Sequence, residues 1–272
     1  MKIIVAKNIG FCSGVKRAIQ IAERSLEQDQ KPVQFLGTIV HNEQVIEKFR
    51  KSGVRFLKDL KEALPGTIVV QAHGIPPIKG TNQSISFRDA TCPLVKKTQL
   101  LAKELQAEGF QVVIIGDKKH SETKGIKGYA RKAKIIENEK QARSLGRFKK
   151  IGVISQTTQN LKTVNDILRI LKTKTKNLEF YNTLCSEVLN RQKEMREMSK
   201  KADAMLVIGS KTSANTKRLV EIAKKAKKVV WLINTYKELN KKNLSNVKTL
   251  GIISGASAPN WEIEKIMKCL QK

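Results

Sequence analysis

The sequence predicts an α/β protein made of three similar α/β units around a pseudo-threefold axis. Short aliphatic runs alternate with stretches of 3.6-residue hydrophobic periodicity, as strands and helices do in parallel sheets. A Cys-(Ser/Pro)-x-Val phrase begins at Cys12 and recurs at Cys92 and Cys185, with spacings of 80 and 93 residues. Two other strand-like phrases recur with the cysteines, one in step with them and the other in looser register, which indicates one structural unit used three times.

The recurring phrases define the predicted elements in order. One is a buried strand, a glycine and a polar loop, found as FLGTIVH at 35–41, IIGDKKH at 114–120 and VIGSKTS at 207–213. The other is an aliphatic strand that ends in small polar residues, found as GTIVVQAHG, GVISQTTQ and GIISGASAP. Helical periodicity lies between them, as in VKRAIQIAERSLEQ, VKKTQLLAKELQAEG and TKRLVEIAKKAKK. Ligands of such sheets bind beyond the carboxyl ends of the strands, where these polar loops lie.

The cysteine phrases also suggest domain boundaries. We expect a first α/β domain at 13–91, a second at 92–184 and a third at 185–272, the last joined by the N-terminal strand within 1–12. A gene triplication without a shared site would explain the repeat alone. The chain has only three histidines, however, and all three lie in strand-end loops, so we favour a common site.

Composition restricts the class of protein. The chain has 272 residues, of which 40% are hydrophobic, 28% charged and 5% aromatic, as in a globular protein with aliphatic cores. No signal peptide is visible, and an aliphatic run such as VVWLI at 229–233 is far too short to span a bilayer. We therefore expect a soluble, cytoplasmic protein without a membrane partner.

The formal net charge is +29, from 53 basic and 24 acidic residues. Such a surface attracts polyanions, and one alternative is a basic RNA-binding protein with a steep salt dependence of affinity. The lysines are spread along the chain, however, and no basic arm, RNA motif or interleaved aromatics accompany them. We expect no nucleic-acid partner and interpret the lysines chiefly as solvated helix faces.

Four cysteines without a CxxC pair favour metal or redox chemistry over a disulfide framework. Cys12, Cys92 and Cys185 each precede a predicted helix, where the helix dipole favours a thiolate. Three thiolates can bind zinc or an iron–sulfur cluster. Structural zinc needs a fourth ligand, and the remaining Cys269 lies outside the repeat. Three ligands suit a [4Fe–4S] cluster with an open fourth iron, whereas a zinc-dependent hydrolase stays an alternative.

The strand-end loops also have the composition of an anion site. Neutral or cationic donors lie beside glycines that expose backbone N–H groups, at His41, His73, Ser213, Asn215 and Ser257. Each residue alone is typical of a turn or cap. Together, in equivalent loops, they indicate a diphosphate.

Glu122 is the acidic residue of the HSE phrase, two residues after His120. A carboxyl buried beside a cluster has a raised pKa and can deliver protons. The alternative is an ordinary solvated loop glutamate. Thr157 and Thr158 could relay a proton or orient a hydroxyl of the substrate. The alternative is that they only form hydrogen bonds with backbone groups at the end of a strand.

Nine phrases together resemble one enzyme family, 4-hydroxy-3-methylbut-2-enyl diphosphate reductase of the methylerythritol phosphate route to isoprenoids. In chain order they are GFCSGVKRAI, GTIVHNEQV, QAHGIPP, DATCPLV, HSETKG, SQTT, NTLCSEVLNRQ, GSKTSANTKRL and SGASAP. The resemblance extends from residue 10 to about 262. It implies a trefoil of three α/β domains around a central [4Fe–4S] cluster.

The resemblance also implies roles for the residues. The cluster ligands would be Cys12, Cys92 and Cys185. The substrate diphosphate would be held by His41, His73, Ser213, Asn215 and Ser257. The allylic hydroxyl would be surrounded by His120, Glu122 and Thr157, with Glu122 as the proton donor.

The implied reaction is a reductive dehydroxylation by two electrons and two protons, which yields isopentenyl or dimethylallyl diphosphate. The implied electron donor is a ferredoxin or flavodoxin, whose acidic surface the +29 charge would attract. A complete site in one chain makes a monomer sufficient. Departures from the family pattern are Ala214 in place of a serine, Asn182 in place of an aspartate and Ser121 in place of a proline. None removes a cluster ligand, and diphosphate affinity is the property that we expect Ala214 to affect.

Overall fold

A computed structural model describes residues 1–78, 80 and 84–271 of the chain. The strands are β1 (Lys2–Val5), β2 (Val33–Leu36), β3 (Arg55–Leu57), β4 (Gly66–Val70), β5 (Ile85–Asp89), β6 (Gln111–Ile115), β7 (Lys134–Ile136), β8 (Lys150–Ser155), β9 (Asn177–Phe180), β10 (Ala204–Ile208), β11 (Val229–Ile233) and β12 (Thr249–Ser254). The α-helices are α1 (Ser13–Gln28), α2 (Glu43–Lys51), α3 (Pro93–Ala107), α4 (Ser121–Tyr129), α5 (Glu139–Arg143), α6 (Leu161–Leu171), α7 (Ser186–Lys201), α8 (Ala214–Lys225) and α9 (Asn260–Gln271).

The strands form three parallel four-stranded sheets with the same topology. Their orders are β3-β2-β4-β5, β7-β6-β8-β9 and β11-β10-β12-β1. In each sheet the strand that leads to a repeated cysteine is an edge strand: β5 leads to Cys92, β9 to Cys185 and β1 to Cys12. The N-terminal strand therefore completes the sheet formed by the C-terminal third. The predicted α/β class and its threefold repeat are confirmed, whereas the domain boundaries stay a prediction.

The chain forms two compact units. One contains Met1–Lys16, Val40–Gly53 and Ser186–Lys272, and the other contains Arg17–Ile39 and Val54–Cys185. The first unit, which we call the anion-loop unit, holds the sheet of β1 and β10–β12. The second, which we call the acid unit, holds the other two sheets.

In the anion-loop unit, alternate side chains of the strands pack on opposite faces of the sheet. Met205, Val207 and Ile253 pack with buried residues of α7 and α8 on one face. On the other face, Leu206, Ile208 and Ile252 pack with residues of α9. Burial on both faces explains why the central strands read as continuous aliphatic runs.

In the acid unit, the loop after β4 lies close against helices of the next sheet. A Cβ atom on Gly128 of α4 would lie 2.4 Å from Cβ of Pro76, so only glycine fits there without a shift. Gly74 has φ +67°. The side-chain amide of Gln99 in α3 donates to Ile75 O at 3.3 Å. These contacts hold the loop that contains His73. Among the described residues, no helix is long and apolar enough to cross a membrane.

Candidate functional site

The three repeated cysteines have the same backbone environment. Each lies one residue before a helix, as predicted, and its amide donates to a carbonyl two residues past the end of the adjacent strand. These hydrogen bonds are Cys12 N to Ala256 O (3.0 Å), Cys92 N to Ala72 O (2.9 Å) and Cys185 N to Thr157 O (2.9 Å). The sequence repeat thus corresponds to a repeated hydrogen bond between each cysteine and a polar strand-end loop.

The sulfur atoms fit a metal–thiolate group by their chemistry. All three cysteines are half-buried. The amide of Val15, in the first turn of α1, donates to Cys12 Sγ at 3.4 Å, and Cys92 is the N-cap residue of α3, with a proline at the start of that helix. Helix N-termini favour thiolates, which are the form that iron and zinc bind.

Charged residues of α7 hold the Cys12 loop. Arg191 is buried and donates from Nη2 to Gly10 O at 2.9 Å and from Nη1 to Glu187 O at 3.2 Å. The Glu187 carboxylate accepts from the Ser13 amide at 3.1 Å and from the Ser13 hydroxyl. Sequence reasoning missed this clamp, although its residues lie in two of the recognised phrases, GFCSGV and CSEVLNRQ.

Glu122 lies at the start of α4 and is 1% exposed. Its carboxylate accepts from the amide of Thr157 at 2.6 Å and from the Thr157 hydroxyl at 3.0 Å. Burial raises the pKa of Glu122 to about 7; the two Thr157 hydrogen bonds lower it, and the charge of Asp117 raises it further. At neutral pH the carboxyl group can therefore both hold and release a proton.

His120 is the N-cap residue of α4, and its Nδ1 accepts from the Glu122 amide at 3.2 Å. Because Nδ1 accepts, a neutral His120 carries its proton on Nε2, which leaves that atom as the donor. The His73 ring packs edge-on against the His120 ring, with centroids 5.3 Å apart and an interplanar angle of 82°. The acid unit thus places two imidazoles and one protonatable carboxyl on two neighbouring loops.

In the anion-loop unit, Ser213 and Asn215 lie at the start of α8. Ser213 is the N-cap residue and its hydroxyl accepts from Thr216 N at 3.4 Å. Asn215 is 3% exposed, and neither its amide nitrogen nor its amide oxygen has a hydrogen-bond partner within the described parts of the chain. Two buried, unsatisfied amide atoms are costly in a folded protein. This cost is relieved if a polar ligand binds there.

The loop before α2 contains His41. Its backbone carbonyl accepts from the Ser257 hydroxyl at 3.1 Å, so two predicted anion-binding residues are in direct contact. Burial lowers the pKa of His41, the Glu43 carboxylate raises it, and Lys217 lowers it. This loop is one residue longer than its two counterparts. Its helix, α2, is capped by Asn42, the residue after His41. The two residues that align with His41 in the other loops, His120 and Ser213, cap their own helices directly.

The predicted site residues divide between the two units, and all lie on cysteine loops, on strand-end loops or in the first turn of the helix that follows such a loop. The anion-loop unit contains Cys12, His41, Ser213, Asn215 and Ser257. The acid unit contains His73, Cys92, His120, Glu122, Thr157, Thr158 and Cys185. Sequence reasoning also missed the buried Gln156 of the SQTT phrase, which donates to Thr158 Oγ1 at 3.0 Å and accepts from the Asp117 amide at 2.9 Å.

Comparison with known proteins gives a uniform result. Residues 3–271 match the family model described as LytB protein. The curated 4-hydroxy-3-methylbut-2-enyl diphosphate reductase of Geobacter metallireducens is 36% identical over 276 residues, covering 100% of this chain and 98% of the relative. The reductase of Campylobacter hominis is 37% identical, with 98% of each chain covered.

Two solved structures are similar to this chain. The E-1-hydroxy-2-methyl-but-2-enyl-4-diphosphate reductase from Plasmodium falciparum matches with a TM-score of 0.93 and 30% identity, over 100% of this chain and 88% of that one. A structure described as (E)-4-hydroxy-3-methyl-but-2-enyl diphosphate reductase, the terminal enzyme of the non-mevalonate pathway, matches with a TM-score of 0.72 and 35% identity, over 99% of each chain.

Proposed function

Because the chain belongs to the LytB family of diphosphate reductases, we propose that it reduces 4-hydroxy-3-methylbut-2-enyl diphosphate to isopentenyl and dimethylallyl diphosphate, the last step of the non-mevalonate pathway. The reaction breaks the allylic C–O bond, forms a C–H bond and releases water. It consumes two electrons and two protons.

One observation carries the proposal: the buried Glu122 carboxyl, whose pKa is about 7. Loss of a hydroxyl group as water needs a proton donor at that oxygen, and a general acid works best when its pKa lies near the working pH. Both carboxylate oxygens are fixed by Thr157, so the direction of the group is set before substrate binds. A solvated loop glutamate would have neither the burial nor the fixed orientation.

Two neighbours of Glu122 would act on the same hydroxyl. His120 offers its Nε2 as a donor, because Nδ1 is occupied by the Glu122 amide. The Thr157 hydroxyl donates to the Glu122 carboxylate. When Glu122 is protonated, the same hydroxyl can accept from the carboxyl group and donate to the substrate oxygen, so it can connect the two. Together the three side chains would orient the hydroxyl and supply its proton.

The diphosphate would be held by His41, His73, Ser213, Asn215 and Ser257. Among them, Asn215 has two buried amide atoms without partners in the described part of the chain, and its N–H₂ group is a donor that a phosphate oxygen can satisfy. Ala214 is buried and offers no hydroxyl, so the expected loss of one side-chain contact stays a prediction.

We further propose one [4Fe–4S] cluster as cofactor, ligated by Cys12, Cys92 and Cys185, with its fourth iron open. When bound, this group would supply the electrons and a Lewis-acidic position for the substrate oxygen. The protein would contribute substrate binding, orientation of the hydroxyl, the proton at Glu122 and exclusion of water. A ferredoxin or flavodoxin would deliver the electrons in the cytoplasm, and a monomer would suffice.

The test compares the wild-type protein with Cys92→Ala and, as a matched control, Cys269→Ala. Each is purified without oxygen and measured for iron, acid-labile sulfide, zinc and visible absorption. We expect one cluster of four irons and four sulfides per chain in the wild type and in Cys269→Ala, and its loss in Cys92→Ala. Substrate turnover with a chemical reductant should follow the same pattern. Stoichiometric zinc without sulfide, after reconstitution had also failed, would contradict the proposal and favour the hydrolase.

A further inference from the structure

Glu43 has no part in the proposed reaction, yet its carboxylate accepts hydrogen bonds from two distant loops. Oε1 accepts from the hydroxyl of Ser210 at 2.7 Å and from that of Thr212 at 3.4 Å. Oε2 accepts from the side-chain amide of Asn234 at 2.8 Å. These partners are 167, 169 and 191 residues away in sequence. An acidic residue in the first turn of a helix interacts favourably with the positive end of the helix dipole without any such partners.

One of these loops, the turn that contains Ser210 and Thr212, leads directly into the residues proposed to bind the diphosphate. Ser210 is fully buried and belongs to the turn before α8: its hydroxyl accepts from the Thr212 amide at 3.0 Å, and its carbonyl accepts from the Ser213 amide at 3.2 Å. Asn215 follows two residues later. The Glu43 carboxylate therefore fixes the turn from which Ser213 and Asn215 extend.

On its own side, Glu43 follows His41 by two residues. Asn42, between them, caps α2 and donates from its side-chain amide to Asn234 Oδ1 at 3.1 Å, while Ser257 binds the His41 carbonyl. Glu43 and Asn42 thus bind the two ends of the Asn234 amide, which fixes the orientation of that side chain. The Glu43 charge also favours the imidazolium form of His41, against the effect of burial.

We propose that Glu43 is a positioning residue that fastens the His41 loop to the Ser210–Ser213 turn and to Asn234, so that the diphosphate-binding side chains are preorganised. This inference rests on the proposed function for the identity of the ligand. A ligand that finds its donors already in place does not have to order them on binding, and its affinity rises accordingly.

The sign of the effect separates positioning from direct charge repulsion, and hydrogen exchange in the Ser210–Ser213 turn separates it from the effect of the Glu43 charge on His41. Glu43 is a negative charge near a site for a polyanion, so repulsion of the ligand alone predicts that removal of Glu43 lowers KM. Positioning predicts a raised KM, because without the Glu43 carboxylate the two loops lose the acceptor that they share. The matched control is Glu47→Ala, which removes the same charge one turn further along α2, where Glu47 forms only an exposed ion pair with Arg50 among the contacts described.

The experiment measures kcat, KM and the affinity for inorganic diphosphate in the wild type, Glu43→Ala, Glu43→Gln and Glu47→Ala. We expect KM and the diphosphate Kd to rise about tenfold in Glu43→Ala, which corresponds to about 1.4 kcal/mol, and kcat to change by less than about twofold. KM and Kd of Glu43→Gln should lie between those of the wild type and Glu43→Ala. The glutamine amide keeps an acceptor for the Ser210 hydroxyl but places an N–H₂ donor against the donor amide of Asn234. Unchanged or lowered KM in Glu43→Ala would overturn the proposal.

A second readout needs no turnover. Amide hydrogen exchange in the peptides that cover 209–217 should be faster in Glu43→Ala than in the wild type and in Glu47→Ala. The reason is that the turn loses its hydrogen bonds to the Glu43 carboxylate and opens more often. Equal exchange in all three proteins would also overturn the proposal. If the wild type shows no reductase activity, the proposed function fails, and the exchange comparison still decides the role of Glu43.

Discussion

Glu122 in the acid unit and Asn215 in the anion-loop unit are both buried, but they differ in whether their side-chain atoms have hydrogen-bond partners. In the acid unit, Glu122 is buried with both carboxylate oxygens bound by Thr157. In the anion-loop unit, Asn215 is buried, and neither of its side-chain amide atoms has a hydrogen-bond partner among the residues that the structure describes. A proton donor must keep its orientation and pKa before substrate arrives, whereas a binding group must keep its hydrogen-bonding capacity open. The difference follows the roles proposed for these two residues, Glu122 as the proton donor and Asn215 as a binding group.

Removal of the Glu122 acid should have the largest effect. Glu122→Gln keeps the shape of the side chain and loses the transferable proton, so we expect kcat to fall by about 10² to 10³-fold, in the range of general acid catalysis. Steady-state turnover with a chemical reductant, after the cluster content has been matched, measures this. Glu139→Gln, on the exposed surface of α5, is the control and should be fully active. A Glu122→Gln variant with normal kcat would remove Glu122 from the proton path.

The pH dependence of stability tests the burial of the same group. The pKa of Glu122 is about 7 in the folded protein and 4.5 ordinarily, so folding favours the protonated form. The contribution of Glu122 to stability is therefore fully present below pH 4.5 and is lost as the pH rises through about 7. The loss is about 3 kcal/mol in total.

Urea unfolding of the wild type and Glu122→Gln at pH 5 and pH 8 provides the measurement. The wild type should lose stability relative to Glu122→Gln between these two values, because only the wild type must bury a carboxylate at the higher pH. A constant difference between the two proteins would mean that Glu122 is solvated or already ionised at pH 5.

Truncation of Asn215 should have a smaller effect, and one confined to binding. We expect Asn215→Ala to raise KM by about tenfold, since a hydrogen bond to a charged phosphate is worth about 1.5–3 kcal/mol. The unfolding free energy should stay the same or increase, because the variant removes two unsatisfied buried amide atoms. Calorimetric titration with inorganic diphosphate and urea unfolding measure the two quantities. A clear loss of stability with unchanged KM would show that Asn215 is structural.

Local sequence patterns predicted the helices of the periodic phrases, but with small errors at their ends. The helix after Cys92 begins at Pro93 and not at Val95, because proline is favoured in the first helical turn and Cys92 serves as the cap. The helix of the TKRLVEIAKKAKK phrase ends at Lys225, and Lys227 has a positive φ of 57°. Periodicity identifies the helix interior, whereas its ends depend on cap geometry.

The amino-acid sequence alone predicts the α/β class, the threefold repeat and the placement of each repeated cysteine before a helix, because these depend on periodicity and on motifs within a few residues. Three features become visible in the folded chain: Glu122 is buried against Thr157, both amide atoms of Asn215 lack partners among the described residues, and Glu43 binds Ser210 and Asn234. Each of these depends on residues that are distant in the chain, and the burial of Glu122 and Asn215 also depends on exclusion of water. No local pattern encodes either.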